Sequence, residues 1–287
     1  MQRISLKKRL WDYLQSPKCL TEIYDDFCEE TPTTIRGRLN ESVGVCFTRV
    51  SRGVYIATHG EVQAIVIKGD SWEALKMLDN ECIDAVVMDS PYSVLDHQMQ
   101  VGSTRKRNLN KGWDFETRDL DEEFYSELLR VIKPGGHMFS FMPAARRDTM
   151  NYLMEQIKIA TGAGWVFNAQ WIWDKKHISL GYNGRPRHEL IHFFSKGKRR
   201  LFGKGHPMRA TPDVLAYASE HHSKKKHQTQ KPVDLIARLV EFSTMENELV
   251  LDPFAGSLST AAACMQLKRN SISIEKDEAM IRTCMGL

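Results

Sequence analysis

Three acidic residues stand where a short strand-like run ends: Asp89 after residues 83–88, apolar but for Asp84; Asp252 after the apolar 249–251; and Glu275 after 271–274, where Ser and Ile alternate. Apolar or alternating runs of that length, bounded by turn residues, read as strands, so each carboxylate is expected at a strand end. Asp89-Ser90-Pro91-Tyr92 sets an acid, a backbone carbonyl, a stiff ring and an aromatic face side by side. Asp252-Pro253-Phe254-Ala255-Gly256-Ser257 places small residues at a helix start, where backbone can approach a ligand closely. Glu275 could accept hydrogen bonds from two ribose hydroxyls, the usual task of a strand-end acid in nucleotide sites. Taken alone, the Asp252 segment also fits an ordinary strand-to-helix turn. The six cysteines are scattered, with no CxxC pair and no Cys/His metal spacing, so free thiols and no metal centre are expected.

These residues need a scaffold, and from residue 62 onward strand and helix patterns alternate. Strands are expected at 62–67, 83–88, 137–142, 165–173, 189–194, 249–251 and 271–274. Helices are expected from an Asp70-Ser71 cap to residue 78, at 120–132 (closed by Lys133-Pro134-Gly135-Gly136), and at 145–160, 232–242 and 257–267. Such alternation predicts an α/β, Rossmann-like domain over residues 60–287, a mostly parallel sheet with helices on both faces. Ligands in such sheets bind at the carboxyl ends of the strands, where the three acids fall.

Residues 1–59 read differently. Helical spacing at 6–14 and 21–27 precedes Thr31-Pro32, a capping hydroxyl followed by Pro at the first helical position. Residues 47–56 then alternate as two strands around a turn at 51–53. Three helices followed by a two-stranded ribbon is the order of a small winged-helix domain, whose third helix enters a DNA groove. Arg36, Arg38, Arg49 and Arg52 are its candidate DNA contacts. A structural or dimerising cap is the alternative.

Taken together, the motifs of residues 62–287 resemble those of the DNA amino-methyltransferases, which make N6-methyladenine or N4-methylcytosine. The catalytic motif of that family is Asp/Asn/Ser-Pro-Pro followed by an aromatic residue, and Asp89-Ser90-Pro91-Tyr92 is similar to it. The family's cofactor motif is similar to Asp252 through Ser257. His227-Gln228-Thr229-Gln230-Lys231-Pro232, Arg185-Pro186-Arg187-His188-Glu189 and Phe194-Ser195-Lys196-Gly197 match further segments usual there. The catalytic motif comes first, the permuted order called the beta group.

The resemblance implies S-adenosylmethionine as cofactor and Asp89, Ser90, Pro91 and Tyr92 as the catalytic set. An exocyclic amino nitrogen is a poor nucleophile because its lone pair is delocalised into the ring. Asp89 and the Ser90 carbonyl can each accept one amino hydrogen, which aims the lone pair at the methyl group. Positioning and electrostatics then carry an in-line displacement that needs no metal and no covalent enzyme intermediate. Tyr92 would stack on a base that must be flipped out of its duplex. Implied cofactor contacts are Asp70 near the adenine, Thr229 and Lys231 at the amino-acid end, and Glu275 at the ribose. Asp252, Pro253, Phe254, Ala255, Gly256 and Ser257 would line the pocket. A plain helix cap is the alternative for Asp70, and a surface lysine for Lys231. Two positions depart from the family: Ser90 stands where Pro is usual, and Leu258 where Gly is common.

Net charge is only +4, so distribution says more than balance. Arg105, Lys106, Arg107 and Lys111 lie in a long polar loop after the catalytic motif, expected to order over DNA. Arg185 and Arg187 are further DNA candidates, and residues 196–226 occupy the place of the target-recognition segment. The expected partner is double-stranded DNA, with a homodimer possible. With no leader and no membrane-length apolar run, a cytoplasmic, nucleoid-associated protein is expected. Asp89 favours adenine, since family cytosine enzymes favour Ser at that position; N4-cytosine is the runner-up. A DNA-binding regulator with an inactive catalytic domain is the alternative from another class.

Overall fold

The computed structural model describes residues 9–10, 13, 18–41, 47–51, 54–57, 63–91, 119–145, 149–179, 184–219 and 230–285. Contacts divide the chain into a unit of Met1–Gln63 with Lys76–Asp79 and a larger unit of Ala64–Leu75 with Asn80–Leu287.

The smaller unit contains β1 (Lys18–Cys19), α1 (Leu20–Asp26), α2 (Pro32–Glu41), β2 (Phe47–Ser51) and β3 (Val54–Ala57). Its strands form an antiparallel sheet in the order β1-β3-β2, of which β1 has no clear signal in the sequence. The Thr31 hydroxyl accepts the Thr34 N–H at 3.2 Å, capping α2 ahead of Pro32. Leu10, Ile23 and Ile35 are wholly buried and Phe27 nearly so, the beginnings of a small core. Most of the helix expected at 6–14 lies outside the described residues.

The larger unit runs β4 (Ala64–Lys68), α3 (Ser71–Met77), β5 (Ile83–Met88), α4 (Glu122–Val131), β6 (Ile132–Met142), α5 (Met150–Gly162), β7 (Trp165–Asp174) and β8 (His188–Lys196). It continues through β9 (Val214–Ala216), α6 (Val233–Ser243), β10 (Leu249–Asp252), α7 (Ser259–Gln266), β11 (Asn270–Glu275) and α8 (Glu278–Met285). The eight strands take the order β4-β11-β10-β5-β6-β8-β7-β9. Among the described strands only β8 runs against the rest. Every residue of β5 is buried, as a strand covered on both faces requires. On α4, Phe124, Tyr125, Leu128 and Val131 make one apolar stripe, and Asp121 caps it through the Phe124 N–H at 2.9 Å.

Several boundaries differ from the sequence expectation. Lys133-Pro134-Gly135-Gly136 does close α4, but it lies inside the span of β6, as an irregularity opposite β5. Gly136 is required there: a Cβ would meet Ile132 at 2.6 Å and the Asp84 carbonyl at 2.9 Å. The helix expected at 145–160 starts later, at Met150, where the Thr149 hydroxyl is turned back onto the Ala144 carbonyl. Likewise α7 starts at Ser259, because Leu258 adopts a left-handed conformation (φ 60°, ψ 29°). The short β9 and the final α8 are additions to the expected pattern.

Candidate active site

Because β5, β10 and β11 are neighbours and parallel, their carboxyl ends fall side by side. Asp89 follows β5, Asp252 is the last residue of β10, and Glu275 the last of β11. Asp252 is buried and accepts from the Phe254 N–H at 3.0 Å and from the Thr260 hydroxyl. Burial pushes its pKa up to about 7, with Asp89 and Glu275 adding to the rise against those two hydrogen bonds. Glu275 accepts from the Gly256 N–H at 2.6 Å and from the Asp277 N–H at 2.9 Å. Its two oxygens are thereby fixed in direction, each with acceptor capacity to spare.

The loop between β10 and α7 is held by its own chemistry. Ala255 donates to the Ile274 carbonyl at 2.9 Å, and the Ser71 hydroxyl donates to the Pro253 carbonyl. Phe254 stacks on Phe124 (5.4 Å between centroids) and meets Trp72 edge-on at 6.0 Å. Gly256 has φ +45°, and the place its Cβ would take is open. Ser257 shares a hydrogen bond with Ser259 at 2.9 Å. Asp70 serves as the α3 cap, accepting from the Trp72 N–H at 3.0 Å, and lies 3.7 Å from Lys276.

S-adenosylmethionine fits this donor set. It carries two cationic centres and a ribose diol, and the strand ends offer three converging carboxylates and an open glycine turn. Glu275 would take the ribose hydroxyls, Phe254 and Gly256 would border the pocket, and Asp252 would face positive charge.

Lys231 immediately precedes α6 and is almost fully buried. Its Nζ lies 2.5 Å from Asp89 Oδ2 and 3.4 Å from Glu189 Oε2. The ammonium sits over the rings of Phe141 (5.1 Å) and Trp173 (6.0 Å). Burial works against its charge, but Asp89 and Glu189 more than compensate, and its pKa is raised. Lys231, implied at the cofactor's amino-acid end, lies against Asp89, the carboxylate of the expected catalytic motif. Ser90 is buried and Pro91 half-buried; Tyr92 and Thr229 lie outside the described residues.

Glu189 and Tyr152 carry no assignment from the sequence. Glu189 belongs to β8, whose direction carries it back to the carboxyl ends of the parallel strands. Burial, then Asp119, push the Tyr152 hydroxyl on α5 upward, with Ser90 opposing the rise and Asp89 adding to it. Helical spacing alone marks Tyr152 as a core residue, so no sequence signal separates it from its neighbours.

The basic candidates divide. Arg187 is committed to Asp174 through two contacts, at 2.6 and 2.8 Å. That pairing holds the Asp174 carboxyl down at about 2. Arg185 is exposed and donates to the Ser179 carbonyl at 3.0 Å. Arg36 is exposed and donates to the Tyr24 hydroxyl at 3.1 Å. The side chains of Arg38 and Arg49, together with Arg52, Arg105, Lys106, Arg107 and Lys111, fall outside the described residues. The basic cluster Lys196 through Arg200, at the start of the segment expected to recognise the target, lies at the other end of the strands. Lys196 reaches Glu81, ahead of β5, at 3.0 Å, and Arg200 reaches Glu248, ahead of β10, at 2.6 Å.

A doubly wound sheet with this cofactor turn and strand-end acid defines an S-adenosylmethionine-dependent methyltransferase. The model of the DNA methylase family, which covers N6 and N4 enzymes, matches residues 83–285, and the chain belongs to that family. It is 29% identical over 238 residues to the type II methyltransferase M.HpaI of Haemophilus parainfluenzae, covering 75% of this chain and 71% of that one. The fold superposes on the PvuII cytosine-N4-specific DNA methyltransferase with a TM-score of 0.62 at 16% identity, covering 78% of this chain and 86% of that one. It superposes on the complex of M1.HpyAVI with S-adenosylmethionine with a TM-score of 0.54 at 21% identity, covering 78% and 99%. The protein is therefore a DNA methyltransferase of the adenine-N6 or cytosine-N4 type. Among the described residues no helix is long and apolar enough to cross a membrane.

Proposed function

We propose that the protein methylates the N6 amino group of adenine at specific sites in double-stranded DNA, acting on a flipped-out base. The observation that carries the reading is a carboxylate, Asp89, at the carboxyl end of β5 beside the cofactor turn. Asp89 and the Ser90 carbonyl each accept one amino hydrogen, which orients the nitrogen lone pair for in-line attack. S-adenosylmethionine, when bound, supplies an activated methyl group on a sulfonium. Glu275 and the Gly256 turn orient it, and Tyr92 offers the flipped base a stacking face. Asp89 at the first motif position, where family cytosine enzymes favour Ser, supports adenine over the N4-cytosine reading. The smaller unit, read as a winged helix, would add contacts to the DNA backbone.

The test is modified-base sequencing of DNA from a methylation-deficient host expressing the protein. N6-methyladenine in one short sequence context is expected. N4-methylcytosine would move the assignment to the runner-up, and unmodified DNA would overturn both.

A further inference from the structure

We propose that Glu189 is a positioning residue for the catalytic carboxylate: acting through Lys231, it sets how much negative charge Asp89 presents to the target amino group. The inference rests on the methyltransferase reading of the site. Four side chains of alternating sign form a chain. Asp89 meets Lys231 at 2.5 Å, Lys231 meets Glu189 at 3.4 Å, and Glu189 meets Lys175 at 3.1 Å. They come from four places in the sequence: after β5, after β7, near the start of β8 and just before α6. The Lys231 side chain is only 9% exposed and that of Lys175 14%. Phe141 and Trp173 cover Lys231, Trp173 also lies 5.9 Å from the Lys175 ammonium, and the Ser259 hydroxyl holds the Lys231 carbonyl at 3.0 Å.

An ammonium held by a single carboxylate nearly cancels its charge, and under low-dielectric cover that cancellation reaches any ligand bound there. An ammonium shared between two carboxylates leaves each partly uncompensated. Asp89 needs that remainder. The amino nitrogen gains positive charge as it forms the bond to the methyl carbon, while the carbon–sulfur electron pair returns to sulfur, and a proton then passes from the nitrogen to water. A net negative Asp89 stabilises that developing charge. Glu189 provides the remainder by sharing the Lys231 ammonium, which it meets at 3.4 Å against 2.5 Å for Asp89, and Lys231 and Lys175 together favour its ionised form. Burial alone would push Glu189 up, yet the two lysines hold it below its ordinary value. Two carboxylates and two ammonium groups make a set whose formal charges sum to zero.

The experiment measures methyl transfer by the full-length protein, with wild type, Glu189→Gln and Glu189→Asp side by side. Glu189→Gln keeps shape and hydrogen bonding but frees Lys231 to neutralise Asp89. Its kcat is expected to fall by about tenfold or more, with KM for S-adenosylmethionine within about twofold of wild type. Glu189→Asp retains the charge on a shorter stem and is expected to recover part of the loss. The acid limb of the kcat profile in Glu189→Gln should move to lower pH, because one negative neighbour of Asp89 is gone. Among the described residues, Lys231, Asp252 and Tyr152 face Asp89, and Lys175 and Lys231 face Glu189. Wild-type kcat and pH profile in Glu189→Gln, or equal losses in both variants with kcat and KM moving together, would overturn the proposal. Absence of transfer by wild type would instead overturn the methyltransferase reading.

Discussion

The two halves of the large sheet are built from different materials. In β4, β11, β10 and β5 the site consists of strand ends and a tight turn, and the contacts that matter are backbone N–H groups held by Glu275 and Asp252. In β6, β8 and β7 the work falls to aromatic mass: Phe139, Phe141, Trp171, Trp173 and Phe193 pack with Phe242 of α6 into one cluster. The first half is a preorganised polar turn that approaches a ligand closely. The second is an apolar wall that shields the Lys231 ion pairs from water. The proposed catalytic carboxylate sits at the seam, where Asp89 leaves the first half and meets Lys231 against the second.

The largest effect is expected at that seam. Asp89→Ala removes the carboxylate that both orients and stabilises the amino nitrogen, and kcat should fall by about a thousandfold or more. Circular dichroism and S-adenosylmethionine binding should stay near wild type, because the cofactor turn hangs on β10 and β11. Retained methylation would refute the role given to Asp89.

Next comes the aromatic wall. Trp173 is 2% exposed, donates its indole N–H to the Tyr217 carbonyl at 2.8 Å and covers Lys231. Trp173→Ala should cost about 3–5 kcal/mol of stability, on the order of 10 °C in Tm. It should also lower kcat, since water then reaches the ion pairs. If cofactor affinity fell as steeply as kcat, the two halves would not be independent in the way their construction implies.

The same division explains what the sequence made legible. The first half carries its information locally. A six-residue run before Asp89, apolar but for Asp84, and an acid-to-glycine turn at Asp252 are visible because chain neighbours form them. In the second half the information is spread out. Lys231 and Asp89 are 142 positions apart, and nothing in Arg185-Pro186-Arg187-His188-Glu189 says that Glu189 completes the set. Long-range charge pairing leaves no periodicity behind. The helix boundaries at Met150 and Ser259 depend on where Thr149 and Leu258 turn, and local hydrogen bonds to Ala144, Ala255 and Ala262 that leave no periodicity accompany those turns. The three residues of β9 are too few to show a period.

A pH series sharpens the comparison. His192 lies in β8, wholly buried, and neither ring nitrogen has a hydrogen-bond partner among the described residues. Burial lowers its pKa to about 4. The unfolded chain therefore binds more protons between about pH 6.5 and pH 4, so stability is lost as pH falls through that window. The loss from this group should approach about 3 kcal/mol at the acid end. Urea unfolding at pH 7 and pH 4.5 measures it, and His192→Leu should narrow the gap. An unchanged gap would place the acid sensitivity elsewhere, and the wall would no longer account for it.

The smallest effect belongs to the first half. Leu258 holds φ 60° at the N-cap of α7, a conformation that crowds any residue with a Cβ. The turn accepts it because the Leu258 N–H reaches the Ala255 carbonyl at 2.8 Å, and the Leu258 carbonyl takes the Ala262 N–H at 3.0 Å. The backbone thus holds a shape suited to glycine at a position that leucine occupies. Leu258→Gly should relieve the strain, less the entropy glycine adds to the unfolded chain, for a net gain of about 1 kcal/mol or less. Thermal unfolding would register that as a few degrees at most. Calorimetry should show S-adenosylmethionine binding unchanged or a few-fold tighter, as close approach to the turn becomes easier. A lower Tm would mean that the leucine side chain anchors the turn by packing, and the first half would then share the construction of the second.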